Sequence, residues 1–447
     1  MKLVRNQLDT ASAIALAALL VGCAVDEVKE DAGNTDASGT TSPLIVKVWQ
    51  GSDSNNSGVP AAGAAVALDK PDGERIEATT DELGEARFTE YSWDGSGTAT
   101  VTVCLVGYAV STEAGLELSD LQQAADEGEA LEHGLVAIEA DPLVEIGGVA
   151  LNMLDTQHYM TISTSILGGY HQARGPSWSL TVEPNLPFSI VGLEWGSAPD
   201  STVGPRGYNN VYYAWSLVEH EGISAETSTD IDMSQTATPQ TYSGTIPIPS
   251  DGTTDFFSTA GAWGQVGAFD SGMSAYLGGV TLIDISADDS AIEYEGEYVT
   301  VQSLERPYVH FGLTTATHGS YILAAGYPDT ADLALDFIEP PTVVSPSDGN
   351  AAPMNAVIEW DYHDSDVSDP NVQMILGITD SLGRYRWFAY LPSGTKTFTL
   401  PDLPTGIDPI TVVGAGTLNG YIQLYETAED GDFMQRYAFG AYFSLTN

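Results

Sequence analysis

The residues best suited to chemistry fall into a few groups. Asp361, Asp364, Asp366 and Asp369 crowd one loop, at spacings that suit oxygen ligation of a cation. Loops of this kind hold calcium at roughly millimolar affinity in extracellular modules. A second oxygen-rich run, Asp53-Ser54-Asn55-Asn56-Ser57-Gly58, places oxygen side chains at loop positions one, three and five and glycine at six. Position twelve is Ala64 where an EF-hand needs a bidentate glutamate, so that run reads as a solvated turn.

The seven histidines are His133, His158, His171, His220, His310, His318 and His363. None opens a His-Glu-x-x-His zinc helix or a His-x-x-Glu pair, and His363 has only Asp366 at the third place. His310 and His318 stand on neighbouring predicted strands, where they could meet; two imidazoles alone fall short of a zinc site. There is no Gly-x-Ser-x-Gly elbow, Walker loop or dinucleotide-binding glycine pattern. A triad assembled from distant loops leaves no local trace, so a hydrolase with its site in 141–340 stays open as an alternative.

Two aromatic clusters stand out: Trp195, Tyr208, Tyr212, Tyr213 and Trp215, and then Tyr385, Trp387, Phe388 and Tyr390. Exposed flat rings suit the apolar C–H faces of sugars, while alternation along a strand buries half of each cluster. Carbohydrate binding is therefore an expectation to weigh.

The elements that would position these groups are strands. Leu44, Val46 and Val48 alternate with Ile45 and Lys47. Asp81 and Gly84 supply turn chemistry, with Ala86 and Phe88 sharing one face of the strand that follows. From 141 to 340 strand follows strand: Tyr159–Ile166, Ser177–Val182, Ser189–Trp195, Val211–Val218, Tyr276–Ile285 and Tyr298–Ser303. Gly, Pro, Asn and Asp cluster between them, the pattern of β-sandwiches. Polar Ser234–Gly244, with Pro239, offers a joint between two smaller sandwiches. Ser119 as N-cap, followed by good helix formers and ended by Gly128, predicts one short helix. After Pro340-Pro341, Val357–Trp360 reads as a core strand with an inward tryptophan, followed by Arg384–Tyr390, Thr395–Leu400 and Tyr437–Leu445. The fold class expected is all-β, as tandem β-sandwich domains.

Three stretches resemble known families. Lys2 and Arg5, an apolar run from Ala11 to Gly22, and Leu20-Val21-Gly22-Cys23 resemble the lipobox of bacterial lipoproteins. That resemblance implies a signal peptide over 1–22 and lipid on Cys23. Residues 43–112 resemble the carboxypeptidase regulatory-like domain, a transthyretin-like β-sandwich. The resemblance rests on Gly58-Val59-Pro60 with Gly63-Ala64-Ala65-Val66-Ala67-Leu68, on Thr79-Thr80-Asp81-Glu82-Leu83-Gly84-Glu85-Ala86-Arg87-Phe88, and on Gly107-Tyr108. It implies an accessory module without catalytic residues. Residues 341–447 resemble a fibronectin type III or related immunoglobulin-like domain in the proline-flanked opening and the tryptophan strand.

Composition agrees with this plan. The 447 residues suit several domains, and 43% hydrophobic content is that of a globular chain. Residues 24–42 are small, acidic and without aromatics, which predicts a flexible tether over 23–42. Residues 113–140 read as a connector. With 14 Lys and Arg against 62 Asp and Glu, the net charge of −48 repels phosphate backbones, so nucleic acid is excluded as a partner. After Cys23 only Cys104 remains, in an apolar β run that suits a buried thiol. The expectation is a non-enzymatic, lipid-anchored protein of the outer membrane, with Val25 rather than aspartate two places after the cysteine. It would have no cofactor beyond calcium and would present its sandwiches to a polysaccharide or a surface protein.

Overall fold

A computed structural model describes residues 42–50, 59–89, 96–138, 143–164, 170–182, 184–185, 187–197, 210–247, 261–270, 273–283, 291–301, 306–315, 318–325, 337–346, 351–362, 372–427 and 434–447. Almost all of the regular structure is strand. The chain divides into two compact units. One is drawn from residues up to 139 together with 341–424 and 440–447, the other from 140–340 and 425–439.

The first unit begins with β1 (Leu44–Gln50), β2 (Ala65–Asp69), β3 (Arg75–Thr79), β4 (Glu85–Phe88), β5 (Thr98–Cys104), β6 (Val110–Glu117), helix α1 (Leu118–Glu127) and β7 (Ala130–Leu135). β1 pairs antiparallel with β4 and parallel with β7. β2 lies between β3 and β5, and β5 pairs with β6. The alternation of Leu44, Val46 and Val48 buries those three completely against Val66, Leu68, Val101 and Val103, which makes a two-layered core. Leu118, Leu121 and Ala125 of α1 close the same core.

Turn chemistry does its expected work here. Asp81 Oδ1 accepts the Leu83 and Glu85 backbone N–H groups, and Gly84 adopts φ +76°, where a side chain would strike Val48 O. The helix stops at Gly128, with φ +74°. Its start differs from the sequence reading: Glu117 occupies the N-cap, with no side-chain bond, and Ser119 bonds to Asp120 instead.

The second unit contains β8 (Val144–Leu151), β9 (Tyr159–Thr164), β10 (Tyr170–Arg174), β11 (Ser177–Val182), β12 (Phe188–Ser197), β13 (Asn210–His220), β14 (Pro239–Pro247), β15 (Gly261–Asp270), β16 (Met273–Ile283), β17 (Ala291–Val299), β18 (Arg306–Thr314) and β19 (Gly319–Ala325). One sheet runs β10-β9-β12-β13, and β8 pairs with β11 in another. Ile146, Trp178 and Leu180 of that second sheet pack on Met160, Ile162, Ile190 and Ala214 of the first. A third sheet runs β14-β17-β16-β15-β18-β19, and β9 and β12 also contact its β16. Ser234–Gly244, read as a joint from sequence, supplies part of edge strand β14.

The remaining strands are β20 (Thr342–Ser345), β21 (Ile358–Asp361), β22 (Val372–Thr379), β23 (Tyr385–Leu391), β24 (Thr397–Phe398), β25 (Thr417–Thr427) and β26 (Met434–Thr446). Met434–Phe439 of β26 pairs with β19 in the second unit. In the first unit β21 lies between β20 and β24, and Trp360 is buried, as its strand pattern predicts. β22 pairs with β23, and β23 pairs parallel with β6: Trp387 faces Val110 and Tyr390 faces Glu113. Trp387 Nε1 donates to Thr112 Oγ1 at 2.9 Å, and Thr112 in turn meets Thr102 Oγ1 at 3.3 Å. A buried polar ladder thus runs across β23, β6 and β5.

Candidate functional site at one end of a sheet

The densest group of chemically capable side chains sits where β9 begins and β10 and β12 end. The register sets Arg174, Tyr159, Trp195 and Tyr212 side by side across four strands. Tyr159 and Trp195 stack with ring centroids 4.7 Å apart and planes 15° apart. The Arg174 guanidinium carbon lies 4.6 Å from the centroid of the Tyr159 ring. Trp195 Nε1 donates to Thr161 Oγ1 at 2.8 Å, which fixes the indole. Cross-strand neighbours of this kind stabilise a sheet and hold one another in a single rotamer.

A buried carboxylate lies beside this row. Glu194 is 0% exposed. It accepts the backbone N–H groups of Leu154 at 2.9 Å and Asp155 at 3.1 Å, and His158 Nδ1 at 2.7 Å. A carboxylate oxygen accepts in this bond, so Nδ1 is its donor. A bulge between Glu194 and Trp195 shifts the register past Tyr213. The Tyr213 ring stacks on His158 at 4.2 Å, 5° from parallel. Gly196 leaves room for both: a Cβ there would lie 3.2 Å from Tyr213 Cε2 and 3.4 Å from His158 Cδ2. Bulges commonly re-aim a side chain in this way beside functional sites. Among the described residues no hydroxyl or thiol hydrogen-bonds to His158. The pair has the arrangement of the orienting half of an acid–base constellation, with no nucleophile bonded to it among the described residues.

No family model matches the chain, and no curated protein matches it. Among solved structures, the chain is similar to the BSP domain of a biofilm associated protein at 8% identity, covering 95% of this chain and 98% of that one, with a TM-score of 0.13. It is also similar to the N-terminal eight immunoglobulin domains of the Down syndrome cell adhesion molecule at 7% identity, covering 90% and 63%, with a TM-score of 0.12. Likeness this faint bears on neither the fold nor the activity of this chain.

The residues singled out from sequence are distributed as follows. Cys23, the Asp53–Gly58 loop, His363 and the calcium candidates Asp364, Asp366 and Asp369 lie outside the described residues. Asp361 is described: its Oδ1 accepts Lys396 Nζ at 3.0 Å and the Tyr362 backbone N–H at 3.1 Å. The lysine bond, more than any burial, holds that carboxyl below its ordinary range. A cation at Asp361 has this ammonium to displace. The described residues hold no group of three or more His, Cys, Asp and Glu placed to hold a metal ion.

His310 and His318 do not meet. His310 pairs in register with Leu323 and is buried, whereas His318 sits in the turn beyond the Thr314–Gly319 pair. Desolvation drives the His310 imidazole down to about 3. Cys104 is inert as read, since burial pushes its thiol up to about 12. The second aromatic cluster is mostly core, with Trp387 and Phe388 buried and Tyr385 packed on Phe388 at 4.6 Å. In the first cluster Tyr212 is buried, and Tyr208 lies outside the described residues.

His158, Glu194, Tyr159 and Arg174 were not candidates in the sequence. Two adjacent pairs, His158-Tyr159 and Glu194-Trp195, carry it, and only the register brings them together. A carboxylate inside the apolar run Ile190-Val191-Gly192-Leu193-Glu194-Trp195 was the available signal.

Proposed function

We propose that the chain is a non-enzymatic lipoprotein of the cell envelope, holding β-sheet modules away from the outer membrane for adhesion, binding or spacing. The observation that carries this reading is the order of parts: a charged start, a short apolar run and Cys23, then an acidic spacer, then a body built almost entirely of strands. Residues 43–112 act as a transthyretin-like accessory module and 341–447 as an immunoglobulin-like one.

The test is Cys23→Ser in a bacterium that processes lipoproteins. The wild type goes to the detergent phase and carries diacylglyceryl by mass spectrometry of its N-terminal peptide, while the variant stays in the aqueous phase. Equal partitioning of the two would overturn the reading.

A second reading, saccharide binding, is favoured by the half-exposed Tyr159–Trp195 stack at the sheet end, because aromatic surface beside polar groups suits sugar rings.

A further inference from the structure

Arg174 differs from the other arginines whose side chains are described. Arg75, Arg87, Arg384, Arg386 and Arg436 all pair with carboxylates. Arg174 is exposed, rests on the Tyr159 ring and makes no ion pair among the described residues. It is also one of only three Lys or Arg side chains in residues 140–340. In a chain of net charge −48, a guanidinium that finds no carboxylate among the described residues has its fork of donors available to an outside one.

The ring beneath it is held from the far side. Tyr159 has Arg174 on one neighbouring strand and Trp195 on the other. His158 and Glu194, the residues just before Tyr159 and Trp195, are bonded to each other at 2.7 Å. The buried pair therefore fixes the backbone under both rings, so little ordering remains for a ligand to supply.

We propose that this corner binds a glycan that is neutral apart from a single carboxylate-bearing sugar. Arg174 takes the carboxylate through paired N–H donors, and the open part of Trp195 takes an apolar C–H face of the adjoining ring. The strongly negative surface disfavours polyanions, which selects a lone acidic sugar over a polyuronate. This inference rests on the saccharide-binding reading above and names the ligand class of that site.

The experiment titrates the full mature lipoprotein, in neutral detergent, with a xylo-oligosaccharide bearing one glucuronic acid and with its carboxyl-reduced, neutral counterpart. The acidic form is expected to bind about tenfold tighter or more, as a charge-assisted hydrogen bond requires. Arg174→Gln should erase that preference, and Arg174→Lys should keep only part of it. Near-UV circular dichroism checks that both variants keep the native packing. Equal affinity of the wild type for the two oligosaccharides would overturn the carboxylate assignment yet leave saccharide binding standing. Binding of neither would remove both. Tighter binding of polygalacturonate than of the singly charged probe would also overturn the assignment.

Discussion

Replacing His310 with glutamine removes a group that the native protein holds neutral at a proton's expense. The imidazole is buried, bonds to the Tyr437 hydroxyl at 3.2 Å, and has the Tyr321 ring 5.9 Å away. Desolvation lowers it from 6.5 to about 3 in the folded state. The sign follows from which state binds the proton. Below pH 6.5 the unfolded chain takes one up and the folded chain does not, so wild-type stability falls as the pH drops from 6.5 towards 3. By pH 5 the gap is worth about 2 kcal/mol, at 1.36 kcal/mol per pH unit. Glutamine cannot titrate. At pH 7 the His310→Gln variant should be weaker by about 1 kcal/mol, the value of an imperfectly replaced buried hydrogen bond. At pH 5 the order should reverse. Urea titrations at the two pH values, followed by hydrogen exchange of peptides from 306–314, measure the difference of differences. That difference cancels His133, His220 and His318, which burial also lowers in both proteins. Stability curves that stay parallel to within about 0.5 kcal/mol would refute the reasoning, because a buried neutral imidazole cannot leave them so.

Three further outcomes are expected. Burial alone would raise the Asp380 carboxyl, but bonds from Arg386, the Arg384 and Leu382 backbone N–H groups and the Arg384 side chain bring it down to about 2. Asp380→Asn should therefore cost about 2 kcal/mol at pH 7, an advantage of the wild type that disappears between about pH 4 and pH 2 in acid-unfolding curves. Glu194→Gln should release the Leu154 and Asp155 amides to faster hydrogen exchange and lower stability by about 3 kcal/mol, since it breaks a buried pair. Cys104 should resist an aromatic disulfide reagent in the folded protein and react fully once urea exposes it, as assayed by absorbance.

Strand positions were the most legible part of the sequence, because period-two alternation is a local property. Ser177–Val182 is β11 to the residue, and Leu44–Val48 lies within β1. The reading weakened wherever long-range pairing decides. Tyr298–Ser303 was read as a strand, yet Tyr298 and Val299 close β17 and the ladder precedes them, because β14 sets its register against Ala291–Val299. The polar, proline-bearing start of β14 looks like a joint because an edge strand needs only one partner. The sheet-end site was hidden for a related reason. His158 and Glu194 are 36 residues apart, and nothing near either announces the other.

The parallel pairing of β6 with β23 has a consequence for manufacture. Trp387 and Thr112, which bond across that seam, are separated by 275 positions in the chain. The seam cannot form until nearly the whole polypeptide has been synthesised. An early sandwich around β1 to β7 waits with β6 uncovered while some 200 residues pass, the situation in which slow, non-local closure invites off-pathway association. Folding of this protein should accordingly depend on a holdase that shields that edge, far more than folding of a string of self-contained beads would.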